Sequence, residues 1–290
     1  MRKIQLIVTG DLEKLALHTA LAERFPDVRN GKRVEWARPR KTHGATSRPL
    51  GPPGQAIGTM KGLALAAIVE AELGGSGGPA DLVVVVDDGE VGNMDDGANV
   101  VAHFRLAMTE VINARASDPA AKHALRQLVR ERISYHLLMP MVEAHFFVGR
   151  ASLSACGVGA NVAPKLATAD VERFESNDPG WLPECVASNT ERQESAPWWR
   201  HECHPKYYLQ HLLDRSSGGI YEETSASAQK ALALVEWPLN AGADAQFARS
   251  LFEDLADWFQ VPNPMGAGTC APSTWPGPLT KPGTLLLRNT

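Results

Sequence analysis

The sequence predicts an α/β protein: a mostly parallel sheet flanked by helices, with a mainly helical C-terminal extension. Three observations predict it. Leu82-Val83-Val84-Val85-Val86 is apolar without alternation, the pattern of a strand buried on both faces. Strand-like runs over 4–8 and 135–139 alternate with helix-like segments, as in a parallel layered sheet. From about residue 150 no comparable strand follows, and helical patterns resume at 205–215, 225–235 and 245–259. The boundaries drawn are an α/β domain over 1–150 and a helical extension with an irregular C-terminal tail over 151–290.

In order, residues 4–8 form a short apolar strand ending at Thr9-Gly10, and 11–25 carry apolar residues at helical spacing (Leu17, Ala20, Leu21, Phe25). Residues 29–58 are dense in Gly, Pro and Arg, which limits regular structure and predicts a long excursion. Helical composition over 59–73 stops at the glycine-rich 74–79 and leads into the central strand, which runs directly into Asp87-Asp88-Gly89-Glu90. Two helices follow, over 99–116 and 119–132, the second with Lys122, Arg126, Arg130 and Arg132 on its exposed side. The strand over 135–139 is followed by Pro140-Met141-Val142-Glu143.

The 290 residues, 44% hydrophobic and 21% charged with a net charge of -4, describe a globular protein and exclude disorder, collagen and coiled coil. The longest apolar run, 63–69, is far shorter than the roughly 20 residues a membrane helix needs. The segment over 1–8 lacks a signal-peptide core, so the expectation is a cytoplasmic protein with no membrane contact. Four cysteines without a CxxC pair are expected to be reduced thiols.

Ligands of an open parallel sheet bind outside the carboxyl ends of its strands. Three acidic points fall there: Asp11 and Glu13, then Asp87, Asp88 and Glu90, then Glu143. Convergent carboxylates suit a hard cation such as Mg²⁺, although each acid alone reads more readily as a helix cap or turn former. Between Arg29 and Arg48, seven basic residues stand against Glu35 alone, the asymmetry of either a polyanion contact or a solvated loop. His201-Glu202-Cys203-His204, even with Cys185 and His211, is a weak zinc pattern, so structural zinc is not expected. Pro205 opens a helix, so Arg200, His201, His204 and Lys206 are read as a phosphate-facing rim. The motifs of serine hydrolases, P-loop ATPases and zincins are missing from the sequence.

The runs Val8-Thr9-Gly10-Asp11-Leu12-Glu13, Val84-Val85-Val86-Asp87-Asp88-Gly89-Glu90 and Met139-Pro140-Met141-Val142-Glu143-Ala144-His145-Phe146-Phe147 resemble, in order, the motifs of TOPRIM-type proteins. In particular the chain is similar to an uncharacterised TOPRIM-like family related to the overcoming-lysogenization-defect nucleases. His204-Pro205-Lys206-Tyr207-Tyr208-Leu209 and Ile220-Tyr221-Glu222-Glu223-Thr224 look like that family's second-half signature, and the resemblance spans about 4–260. It implies a TOPRIM-like sheet with catalytic Glu13, Asp87 and Glu143, and Mg²⁺ or Mn²⁺ on Asp87, Asp88, Glu90 and Glu143. Thr9 stands where the family places its leading glutamate, which puts a two-metal site of the usual form in doubt.

The resulting expectation is a metal-dependent nuclease cutting DNA or RNA, its substrate backbone held by Arg38, Arg40, Lys41, Arg126, Arg130, Arg200, His204 and Lys206. The resemblance implies action in defence against phage or plasmids beside an ATPase partner, in an oligomer or complex. The alternative, favoured by Thr9 and the acidic balance, is a catalytically degenerate subunit serving as sensor, adaptor or scaffold. A hydrolase or transferase for a phosphorylated small molecule would use the same edge.

Overall fold

The computed structural model describes residues 1–75, 77–182, 202–216, 219–237, 245–266 and 268. Its strands are β1 (Arg2–Val8), β2 (Val28–Arg29), β3 (Lys32–Lys41), β4 (Leu82–Asp88) and β5 (Ile133–Leu138). They form one five-stranded sheet in the order β2-β3-β1-β4-β5. Pairing is parallel between β1 and β3, β1 and β4, and β4 and β5, and antiparallel only in the β2-β3 hairpin.

Strand alternation divides the interior into two cores. Ile4, Leu6 and Val8 of β1 and Leu82, Val84 and Val86 of β4 face one side. Ile7, Val83, Val85, Ile133, Tyr135 and Leu137 face the other. The second side is covered by α2 (Gly58–Glu72), α3 (Gly97–Arg115) and α4 (Pro119–Arg132). Asp96 and Asp118 accept backbone N–H groups at the starts of α3 and α4, and Pro119 suits the first turn of α4.

The first side is covered by a π-helical stretch (Glu13–Leu17) that continues into α1 (His18–Ala22), and by α5 (Arg150–Cys156), α6 (Pro205–Asp214), α7 (Ala226–Ala233) and α8 (Gln246–Phe259). One continuous core therefore joins β1 and β4 to helices more than 150 residues downstream. The helices after residue 150 form a layer over the sheet, which makes the architecture three-layered, helix on sheet on helix.

The excursion expected over 29–58 contains a ten-residue strand, β3. Only Val34 and Pro39 are buried along it, so its composition lacks the apolar signature of the inner strands. Pairing with β1 holds it. Pro39 falls where the register shifts, between the Gln5–Ala37 and Ile7–Arg40 pairs, and β3 carries one residue more than β1 there. A proline without an N–H is tolerated at such an irregularity. The helices expected at 59–73, 99–116, 119–132, 205–215, 225–235 and 245–259 are present within about two residues of those bounds. The C-terminal tail and the tryptophan-bearing stretch up to Arg200 lie largely outside the described residues. No helix among the described residues is long and apolar enough to cross a membrane.

Candidate active site at the switch point of the sheet

The chain leaves β1 toward the α1 face and leaves β4 toward the α3 face, while β3 and β4 lie on opposite sides of β1. The carboxyl ends of β1 and β4 are thus the point where strand order reverses, and diverging connections open a crevice there. Four acidic side chains converge on it from the α1 face: Glu13, Asp88, Glu90 and Glu143.

Glu13 begins the π-helical stretch and is 2% exposed. Its carboxylate folds back over Gly10 so closely that a Cβ there would lie 1.9 Å from Oε2, so any side chain at residue 10 would displace it. Burial and the nearby Glu143 charge push the Glu13 carboxyl up to about 7. Asp88 is held well above the ordinary range by burial and by the charges of Glu13, Glu90 and Glu143. Asp88 and Glu13 are also coupled through a side-chain hydrogen bond, so the pair resists carrying two negative charges. Asp88 Oδ1 also accepts the backbone N–H of Val142 at 3.1 Å, which ties the turn carrying Glu143 to β4.

Glu143 follows β5 in a 3₁₀ turn (Val142–Phe147) and is raised chiefly by burial. Its Oε1 accepts the Tyr221 hydroxyl at 3.0 Å and lies 3.8 Å from Lys206 Nζ. Lys206, in the first turn of α6, also pairs with Glu223. These carboxylates hold its ammonium charged against the burial that opposes it. Glu90 is pushed up to about 7, mainly by burial. Its φ of 60° is uncommon for a residue with a side chain. Its N–H donates to Pro140 O at 2.6 Å, and Gly89 N–H donates to Leu138 O at 2.9 Å, so the backbone after β4 stays tied to the end of β5. Buried Asn93 donates to Thr46, Arg48 and Gly89 carbonyls and accepts the Leu50 N–H, fastening the 46–50 loop beside the crevice.

Asp87 is elsewhere. Alternation along β4 turns it to the face of Val83 and Val85, away from Asp88. It is 1% exposed and accepts the Thr9 hydroxyl at 2.6 Å and the Tyr135 hydroxyl at 3.3 Å, with a further bond from Thr46. Burial pushes it up to about 6 against these bonds. Thr9 is therefore a hydrogen-bond partner of Asp87 across the switch point.

The basic residues divide by position. Lys41 is level with Val8 in the parallel register, at the acidic end of the sheet, but pairs with Asp11 at 2.6 Å. Arg40 pairs with Glu70 at 3.1 Å, and Arg38 is exposed on the same strand. Arg126 and Arg130 are exposed on α4. Arg130 lies just before the start of β5, which puts it at the opposite edge from the carboxylates. His204 is 4% exposed and packs edge-on against Tyr207 at 4.6 Å, so its ring is not presented to solvent as a rim would require. Lys206 is turned into the carboxylate cluster. Arg200, His201 and Cys185 lie outside the described residues.

Tyr221 and Glu223 belong to the cluster although residue chemistry alone did not single them out. Their signal was the Tyr-x-Glu spacing, which brings both toward Glu143 and Lys206. The donors are all hard oxygen atoms, and a cation among them would relieve the repulsion between Glu13 and Asp88. That donor chemistry fits Mg²⁺ or Mn²⁺, which keeps several waters and takes few protein ligands. Among the described residues no group of three or more His, Cys, Asp or Glu side chains is arranged to hold a metal ion. A scan against protein-family models and searches of curated proteins and of solved structures find no match.

Proposed function

We propose that this chain is a divalent-metal-dependent phosphodiesterase of TOPRIM type, a nuclease acting on DNA or RNA. The support for the reading is the gathering of acids at the switch point, where buried Glu13 and Glu143 and half-buried Asp88 and Glu90 raise one another's affinity for protons. Mutually repelling carboxylates in a crevice between diverging connections favour a cation there. The three motifs of the resemblance supply all four acids. Glu13 and Asp88 would hold Mg²⁺ or Mn²⁺, with Glu143 and Glu90 adding negative charge nearby. Such an ion neutralises charge on a phosphoryl group and lowers the pKa of water.

Tyr221 and Lys206 orient Glu143, and Thr9 and Tyr135 hold Asp87 as a support beneath the crevice. Exposed Arg38 and the paired Lys41, toward the acidic end of the sheet, would contact a phosphate backbone, so binding should weaken steeply with salt. The resemblance alone carries the proposals of TOPRIM identity, of defence against phage or plasmids, and of an ATPase partner.

A second reading has its own observation. Glu13 and Glu143 are each 2% exposed, and Lys206 already neutralises part of the cluster. That is the state of a degenerate site in a sensor, adaptor or scaffold subunit. Calorimetric titration with Mg²⁺ and Mn²⁺, followed by cleavage assays on labelled DNA and RNA, separates the two. Saturable binding and metal-dependent cleavage, both lost in Asp88→Asn, support the nuclease. A folded protein that binds neither ion at millimolar concentration favours the subunit.

A further inference from the structure

Helix α2 carries an apolar face that the core does not use. Gly58, Gly62, Leu65, Val69 and Leu73 recur every three or four residues, which puts them on one side of the helix and its C-cap. Leu65 is 40% exposed and Leu73 64%, so both leave apolar surface in water. A Cβ built at Gly58 or Gly62 meets nothing within 4 Å, so the helix opens on a notch and closes on a projecting leucine. Lys61 and Glu72 flank the apolar face on the same side, because eleven residues make close to three helical turns. Each is steadied from α3, Lys61 by Glu110 at 2.9 Å and Glu72 by Arg115 at 2.7 Å, and each stays partly exposed.

These features complement one another in one arrangement. Two copies of α2 packed antiparallel about a two-fold axis keep the same flank together, so Lys61 of each copy comes level with the partner's Glu72. That register also sets Leu73 level with the partner's residue 60, between the partner's Gly58 and the partner's Gly62. Charge and shape therefore select the same alignment. A parallel pair satisfies neither: it brings Lys61 level with Lys61 and Leu73 level with Leu73, and leaves the glycine notch empty.

We propose that the exposed face of α2 is a docking surface for a second copy of this chain, paired antiparallel, with Leu73 seated in the partner's glycine notch and Lys61 facing the partner's Glu72 at both ends. Strands β3 and β4 are both parallel to β1, so α2 between them runs back from the carboxyl edge of the sheet to the amino edge. The antiparallel pair thus directs the two acidic crevices to opposite ends of the dimer. One helix pair makes a small interface, so the dimer is expected to form in the micromolar range.

Analytical ultracentrifugation of the whole chain, from low micromolar to several hundred micromolar, tests this. Wild type is expected to pass from monomer to dimer. Gly62→Leu fills the notch without a clash inside the chain and replaces a helix glycine by a stronger helix former. It should melt no lower than wild type at monomeric concentration, yet associate at least about tenfold more weakly. Glu72→Lys sets like charges level at both ends and should weaken association by a similar factor, most at low salt. A wild type that stays monomeric throughout overturns the proposal, and so does a dimer that survives both variants unchanged. Weakening by only one of the two overturns the antiparallel register, which requires both.

Discussion

Asp87 and Asp88 are neighbours in sequence and lie on opposite faces of β4. Asp88 joins Glu13 at the crevice, while Asp87 accepts Thr9 and Tyr135 on the side of α2 and α3. The two carboxylates therefore have separable roles. Asp88→Asn should abolish metal binding with little loss of stability, because a neutral amide takes the place of a carboxyl that the surrounding acids already disfavour ionising. Asp87→Asn should leave the metal affinity within about threefold and destabilise by about 1–3 kcal/mol, through mismatched partners in a buried network. Paired titrations and denaturant melts of the two variants check this. Equal loss of binding in both would contradict the division.

The crevice also sets a pH dependence. Glu13 and Glu90 rise from 4.5 to about 7 on folding, and Asp87 from 3.8 to about 6. Between the unfolded and folded values the native chain binds more protons than the unfolded chain, so stability falls as pH rises across that window. In chelator the melting temperature should decline from about pH 5 to pH 7.5, by on the order of 5 °C or more. Glu13→Gln should flatten part of the decline. A melting temperature that rises across this range would contradict the assignment.

Gly10 is the cheapest place to move Glu13 without touching it. A Cβ at residue 10 would overlap the end of the Glu13 side chain, a flexible group that supplies its three nearest atoms. Gly10→Ala should thus fold, with a stability change within about 1 kcal/mol, yet weaken metal binding by about tenfold or more. Calorimetry on the folded variant reads the effect directly.

Asn93 makes four hydrogen bonds that fix the 46–50 loop to the turn after β4. Asn93→Ala leaves buried backbone groups without partners and should lower stability by about 2–3 kcal/mol. Faster amide exchange at Leu50 would locate the loss in that loop.

Much of this fold could be read from residues 82–86 and from the alternation of strand and helix, because burial on both faces leaves an unbroken apolar run. The strand over Lys32–Lys41 could not, since its exposed arginines and Pro39 hide a partner supplied by distant β1. At the site, the three acidic turns were legible as strand ends. The opposite facing of Asp87 and Asp88 follows from strand alternation, but only once the strand is known to continue through Asp88. Lys206 looked like a surface phosphate contact because the sequence does not reveal that α6 packs over Glu143.

The most direct test is calorimetric titration of Mn²⁺ into wild type and into Asp88→Asn near pH 7.5. The account predicts saturable binding to wild type and its loss in the variant, with both proteins folded. Unchanged binding in Asp88→Asn, or no binding to wild type at millimolar metal, would contradict it.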